Sequence, residues 1–147
     1  MTERPAVQTF PRRDAAGRVM HFPEFVAGAA LGVLVGLLAL AVIDGIVALL
    51  GLARFGSASG WLAVILPALL FFDDLRGWRG HGVRFLVAPV SAAVAIGLGL
   101  IAAGLATGLP PMASGAVGAL VAAVAYAVIW FPAIRWLAGE NVSRSER

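Results

Sequence analysis

Apolar residues in this chain are gathered into four long blocks rather than spaced at short helical or strand periods. The blocks occupy residues 25–52, 57–72, 85–109 and 116–137, and short segments containing glycine, proline or charged residues separate them. A helix needs about 20 apolar residues to cross the hydrocarbon core of a bilayer. Because backbone N–H and C=O groups in lipid must bond within their own segment, each block is predicted to be one transmembrane helix.

The prolines refine this pattern. Pro67 lies near the middle of the second and shortest block, where its missing N–H predicts a kink. Pro89 falls in the first turn of the third block, where the same loss costs little. Pro110 and Pro111 end that block, and the short uncharged segment that follows predicts a tight antiparallel hairpin with the fourth block. Pro132 is expected to bend the end of the fourth.

The polar segments predict the orientation of the chain. Residues 1–24 are predicted to be an N-terminal tail and residues 138–147 a C-terminal tail, on either side of a transmembrane domain at 25–137. If both tails share a side with the 73–84 loop, ten of the eleven arginines lie on that side and only Arg54 lies on the other. Since arginine is retained on the cytoplasmic side, we expect both tails and this loop in the cytoplasm.

Composition supports the membrane assignment. Apolar residues make up 61% of the chain and charged residues 13%, with a mean hydropathy of +0.93. An ordinary soluble domain has about 45–50% apolar and about 25% charged residues. The prediction is therefore an all-α integral membrane protein, a four-transmembrane-helix bundle with both ends inside. Trp61 and Phe55 are predicted to mark the outer interface, where amphipathic rings concentrate.

The basic balance has a topological explanation. A net charge of +3 would suggest a nucleic-acid partner in a soluble protein. Here the arginines flank the apolar blocks, so no nucleic-acid partner is expected. Every basic residue is arginine, and alanine and glycine abound, which is typical of a GC-rich bacterial genome. The expected location is accordingly the bacterial cytoplasmic membrane.

Two rows of small residues are spaced by four and so share one helix face each. Helices in lipid associate by close packing of small residues, because lipid is as apolar as leucine. Either the rows join the helices of one chain, or at least one row, the glycine row first, remains for self-association or for another membrane subunit. The rows are Gly28, Gly32 and Gly36 in the first block, and Ser91, Ala95, Gly99 and Ala103 in the third.

Asp44 is the one acidic residue well inside an apolar block. Its position predicts a depth near the outer interface, where it could be hydrated or hydrogen-bonded to Ser57, Thr107 or Ser114. The alternative is a proton- or cation-coupling site or a contact with a partner subunit, because acids within membrane helices are often functional.

The 73–84 loop concentrates charge. Its three arginines, Arg76, Arg79 and Arg84, are predicted to contact anionic lipid. Asp73 and Asp74 could instead hold Mg²⁺ at a lipid-phosphate site. The simpler interpretation is a cytoplasmic loop whose carboxylates face its own arginines.

Catalytic motifs are absent from the sequence. There is no cysteine, which excludes disulfides and thiol chemistry. There is no P-loop, no HExxH and no Ser-His-Asp set. His21 and His81 lie outside the apolar blocks, where two haem ligands would not be expected. We predict no catalytic, cofactor-binding or metal-binding residue.

Three functional hypotheses follow from these features. The first is a non-enzymatic accessory or structural subunit that packs against a larger membrane complex. The second is a homo-oligomeric small transporter or channel with Asp44 in the path. The third is a membrane enzyme that handles a lipid phosphate with the 73–84 loop.

Overall fold

The computed structural model of the chain describes residues 21–77 and 84–145. Within these ranges the side chains of residues 73–74, 76–77, 84–85 and 134–145 are not described. Most of the predicted N-terminal tail, together with Arg79 and His81, therefore lies outside the described residues. All regular structure in the described ranges is helical: α1 (Phe22–Leu49), a 3₁₀ helix (Gly60–Val64), α2 (Ile65–Gly77), α3 (Arg84–Leu105) and α4 (Pro111–Ser145).

Three stretches of helix are long and apolar enough to cross a membrane: Phe22–Leu49, Leu86–Leu105 and Pro111–Ala133. The all-helical prediction is thereby confirmed, and length and composition support the membrane character. The fourth apolar segment, Gly60–Phe72, is shorter than these three. The number of membrane crossings and their orientation stay predictions.

Local sequence explains both ends of α1. Pro23 and Glu24 lie in its first turn, where proline loses no helical bond and an acid faces the positive end of the helix dipole. At the other end, Gly51 has a φ of +72°. The N–H of Gly51 donates to the carbonyl of Ala48, and the N–H of Leu52 donates to the carbonyl of Val47. This is a Schellman motif, which requires a left-handed residue after the helix. It ends α1 at Leu49, earlier than the predicted limit at residue 52.

Pro67 does not kink a continuous helix as the sequence predicts. The segment instead begins as the 3₁₀ helix and becomes α-helical at Ile65, so Pro67 lies in the first turn of α2. The reason is that Pro67 has no N–H to donate to the carbonyl of Ala63, and an α-helical ladder cannot run unbroken through both. Ser59 caps the 3₁₀ helix by accepting a hydrogen bond from the N–H of Trp61 at 3.4 Å.

The predicted hairpin of the last two blocks is present, with shifted limits. α3 ends at Leu105, where the N–H of Ala106 is shared between the carbonyls of Ala102 and Ala103. α4 begins at Pro111, a residue preorganised for the first helical position. It then continues through Pro132 to Ser145, so most of the predicted C-terminal tail is a helical extension of α4.

α4 is the centre of the bundle. It packs against α3, the 3₁₀ helix and α1, and α1 also packs against the 3₁₀ helix and α2. In the described part of the chain α3 makes no comparable contact with α1 or α2. α2 therefore packs mainly on α1, and α2 and α3 share at most a weak contact within the described ranges.

The interior is built largely from alanine, while leucine, isoleucine and valine face outward. Leu38 of α1 and Leu105 of α3, for example, are 68% and 86% exposed. This is the reverse of a water-soluble core and suits a lipid environment, because small residues allow close approach of helices. The buried apolar residues are Ala29, Val33, Ala63, Ala88, Ala95, Ala119, Ala122, Ala123 and Ala127 with the aromatic residues Phe25, Phe71, Tyr126 and Trp130.

Candidate functional site

Asp44 lies in the last turns of α1 and is 4% exposed. Its carboxylate accepts hydrogen bonds from the backbone N–H of Gly56, from that of Ala58 at 3.3 Å, and from the hydroxyl of Ser57 at 3.4 Å. All three donors belong to the loop at residues 50–59, which joins α1 to the 3₁₀ helix. Asp44 therefore anchors this loop over the end of α1.

The loop sequence makes this arrangement possible. Gly56 has a φ of +87°, a conformation that side chains with a Cβ rarely adopt. The ring of Phe55 packs beside Gly45, at an ordinary van der Waals distance of 3.7 Å from the Cβ position of this glycine. A buried carboxylate is stabilised when several N–H groups donate to it. The loop supplies these donors from its own backbone.

The sequence predicts Ser57, Thr107 or Ser114 as a hydrogen-bond partner of Asp44. Ser57 is a partner, whereas the hydroxyl of Ser114 donates to the carbonyl of Pro111 at 3.4 Å. The sequence does not predict the two bonds from the backbone amides of Gly56 and Ala58, because every residue type except proline carries a backbone N–H. The run of small residues Gly56 to Ser59 was the available clue, since such residues favour turns that expose backbone donors.

The glycine row of α1 faces the second helical segment of the same chain. A Cβ on Gly32 would lie 3.3 Å from Pro67, and one on Gly36 would lie 2.8 Å from the carbonyl oxygen of Ala63. Gly28 is buried, yet no atom lies within 4 Å of its Cβ position. The closely packed part of the row therefore consists of Gly32 and Gly36.

The small-residue row of α3 faces α4. Ser91 and Ala95 are each 2% exposed. A Cβ on Gly99 would lie 2.8 Å from the Cβ of Ala122, and one on Gly118 of α4 would lie 2.9 Å from the Cβ of Ala103.

Trp61 has a packing role that the sequence does not predict. Its ring lies over both Gly99 and Gly118, 2.6 Å from the Cβ position of each. Its place at the outer membrane interface stays a prediction. Just before it, the backbone of Gly60 meets that of Met112 and Ala116, so closely that no side chain would fit. The wedge formed by Gly60 and Trp61 thus joins the 3₁₀ helix to α3 and α4.

Aromatic rings fill the opposite end of the bundle. Phe71 and Tyr126 have centroids 4.2 Å apart, and Tyr126 stacks on Trp130 at 5.8 Å. Phe25 contacts Phe71 at 5.6 Å, and Phe131 at 6.1 Å. We call this the aromatic end. Nearby, His21 Nδ1 lies 3.6 Å from Glu24 Oε1 at the start of α1.

An apolar groove of about 410 Å³ lies between α2 and α3, beside the aromatic end. In the described part of the chain α2 packs mainly on α1 and α3 on α4, and the two helices share at most a weak contact, which leaves this groove between them. Ala68, Phe72 and Leu75 form one wall, Ala88 and Ala92 form the other, and α4 forms the floor.

The arginines of the 73–84 loop are only partly described. Arg76 lies in the last turn of α2 and Arg84 is the first residue of α3, with side chains outside the described atoms. Among the described residues, no three His, Asp or Glu side chains are grouped so that they could hold a metal ion.

Comparisons with known proteins find no match to this chain among protein-family models, curated proteins or solved structures.

Proposed function

We propose that this chain is a small polytopic protein of the bacterial cytoplasmic membrane that acts as a non-enzymatic accessory or structural subunit of a larger membrane assembly. The observation that carries the proposal is the state of Asp44. Its carboxylate binds two backbone amides and one hydroxyl of the chain's own loop. The most conspicuous charged group in the apolar blocks thus has a structural role, and the surrounding interior consists of closely packed small side chains.

The outer surfaces indicate how such a subunit would meet a partner. The tight glycine and alanine contacts are directed inward, so a partner would pack against the aliphatic outer faces of α1 and α3. Leu34, Leu38 and Val42 lie on one of these faces, and Leu100 and Ile101 lie on the other. Association in lipid is then driven by side-chain packing rather than by exclusion from water.

Four crossings are compatible with the short second segment. With a rise of about 2.0 Å per residue in a 3₁₀ helix and about 1.5 Å in an α-helix, Gly60–Gly77 extends roughly 30 Å, about the thickness of the hydrocarbon core. Its apolar part, Gly60–Phe72, covers roughly 22 Å on the same basis. Local thinning of the bilayer accommodates such a mismatch at modest cost. The arginine distribution favours both ends of the chain in the cytoplasm.

Photocrosslinking in native membranes tests the proposal. A photoreactive amino acid is placed at Leu38 on α1, at Leu100 on α3, or at Val128 on α4, all of them exposed positions. A subunit of a larger complex should give one discrete adduct with a different membrane protein from one face, and lipid adducts from the others. The absence of a discrete protein adduct at all three positions would contradict the proposal.

A homo-oligomeric transporter or channel is the second candidate, because a buried acid within an apolar helix is often functional. It requires Asp44 to exchange its loop partners for a proton or cation. Flux through liposomes containing the wild-type chain or the Asp44→Asn variant separates the two functions. A wild-type flux that the substitution abolishes would favour transport over the subunit role.

A further inference from the structure

The groove between α2 and α3 is shaped to take hydrocarbon. Its volume of about 410 Å³ falls in the range of about 300–1,000 Å³ that is usual for small-molecule sites. Carbon atoms line nearly all of it, so water would find few partners there. An empty groove would lose dispersion contacts along both walls. In a bilayer, the acyl chain of a lipid is the apolar group available to occupy this groove.

The residue positions at one end of this groove add a charge preference. Arg76 follows Phe72 by four residues and Arg84 precedes Ala88 by four, so each continues a row of groove-lining positions by one helical turn. The two rows come from opposite walls and extend toward the same end. Asp73 instead continues the row of Leu69, which is 57% exposed on the outer surface. Asp74 follows the groove-lining Phe71 by three residues, so two arginine positions and one aspartate position border this end of the groove.

Two arginine positions on opposite walls complement a phosphate group, which the guanidinium recognises in bidentate geometry. We propose that this groove binds one acyl chain of an anionic phospholipid, with the lipid phosphate at the end marked by Arg76 and Arg84. The site goes beyond the proposed subunit role and does not depend on it. It makes the chain a lipid-binding protein with a defined stoichiometry of one.

Native mass spectrometry of the full chain in mild detergent tests this site. The probes are phosphatidylglycerol and phosphatidylcholine with identical acyl chains. The wild type should retain one phosphatidylglycerol per chain, on the order of tenfold more strongly than phosphatidylcholine. Equal retention of the two lipids would overturn the phosphate assignment.

Adjacent alanines on α3 provide a matched pair of variants. Ala92 lines the groove, whereas Ala93 is exposed and does not line it. Ala92→Phe should fill the groove and remove the retained lipid, whereas Ala93→Phe should behave as the wild type. Ala68→Phe fills the groove from the opposite wall at an exposed position. It should also remove the retained lipid, and it replaces Ala92→Phe if that variant fails to fold. Undiminished lipid retention in the groove-filling variants that fold would overturn the proposal, as would a chain dimer that these variants abolish.

A separate experiment tests the contribution of Arg76 and Arg84 to the preference for an anionic lipid. The double variant with Arg76→Gln and Arg84→Gln should retain phosphatidylglycerol only as well as phosphatidylcholine. An unchanged preference in this variant would contradict the role of the two arginines. None of these variants alters the positions used for photocrosslinking, so failure of the lipid site and failure of the subunit proposal are distinguishable.

Discussion

The carboxylate of Asp44 shows how one residue stabilises a loop at the end of a helix. It gathers donors from three consecutive residues, Gly56, Ser57 and Ala58. Without it, the two partly buried amides of Gly56 and Ala58 would lack this acceptor, and donors that are shielded from water and left unpaired are costly. Asp44 thus holds the loop at residues 50–59 against the end of α1. The 3₁₀ helix begins directly after this loop, at Gly60.

We expect Asp44→Asn to destabilise the protein in detergent by about 1.5–3 kcal/mol, the usual contribution of a hydrogen bond to a charged group. The amide keeps one oxygen but places an NH₂ group against backbone N–H donors. The measurement is the free energy of unfolding, for example by titration with a denaturing detergent.

Ser57→Ala is the matched control for this substitution. It removes only the 3.4 Å contact from the hydroxyl to Asp44, so its cost should stay within about 1 kcal/mol. If Asp44→Asn proves no more destabilising than Ser57→Ala, the loop does not depend on the carboxylate.

At the scale of elements, glycines that look alike in the sequence have different packing. Gly97 and Gly99 are two residues apart on α3, and their side-chain positions point to different sides of the helix. A Cβ on Gly99 would meet Trp61, Gly118 and Ala122 within 2.8 Å, whereas nothing lies within 4 Å of one on Gly97. Close packing of α3 on α4 therefore depends on one of the two.

Gly99→Ala should destabilise the bundle by about 1–3 kcal/mol, because it overpacks the contact between α3 and α4. Gly97→Ala should be neutral or stabilising by up to about 1 kcal/mol, since alanine is the better helix former. Thermal melting of both variants in the same detergent checks this pair. Equal melting temperatures would show that α3 does not approach α4 as closely as described.

The glycine row of α1 permits a similar comparison. Gly36→Ala brings a Cβ within 2.8 Å of the Ala63 carbonyl oxygen, and its cost should be about 1–3 kcal/mol. Gly28→Ala meets no atom within 4 Å and should leave stability unchanged or slightly raised. The readout is the free energy of unfolding. The opposite order would indicate that the first half of the row, rather than the second, forms the helix contact.

The whole molecule has a topology that cysteine labelling can read directly, because the chain contains no cysteine. Single substitutions Ala6→Cys, Ala53→Cys and His81→Cys are treated with a membrane-impermeant maleimide in intact cells. Ala53→Cys should react from outside, and the other two only after permeabilisation, as four crossings and the arginine distribution require.

Each deviation from this labelling pattern has a defined meaning. External labelling of both Ala53→Cys and His81→Cys would mean that Gly60–Gly77 does not cross the bilayer. External labelling of Ala6→Cys with protection of Ala53→Cys would invert the orientation. Labelling of all three sites without permeabilisation would contradict the embedded topology.

The helical and strongly apolar character of the chain follows from the sequence alone, because block length and hydropathy are properties of consecutive residues. The same holds for the pairing of α3 with α4 across two prolines, whereas the end of α1 at Leu49 differs from the limit at residue 52 that the sequence predicts. Tertiary structure alone decided that Asp44 binds backbone amides, that Trp61 wedges between Gly99 and Gly118, and that α2 and α3 stand apart. These features depend on which distant backbone approaches each residue, and spacing along one helix carries no record of that approach.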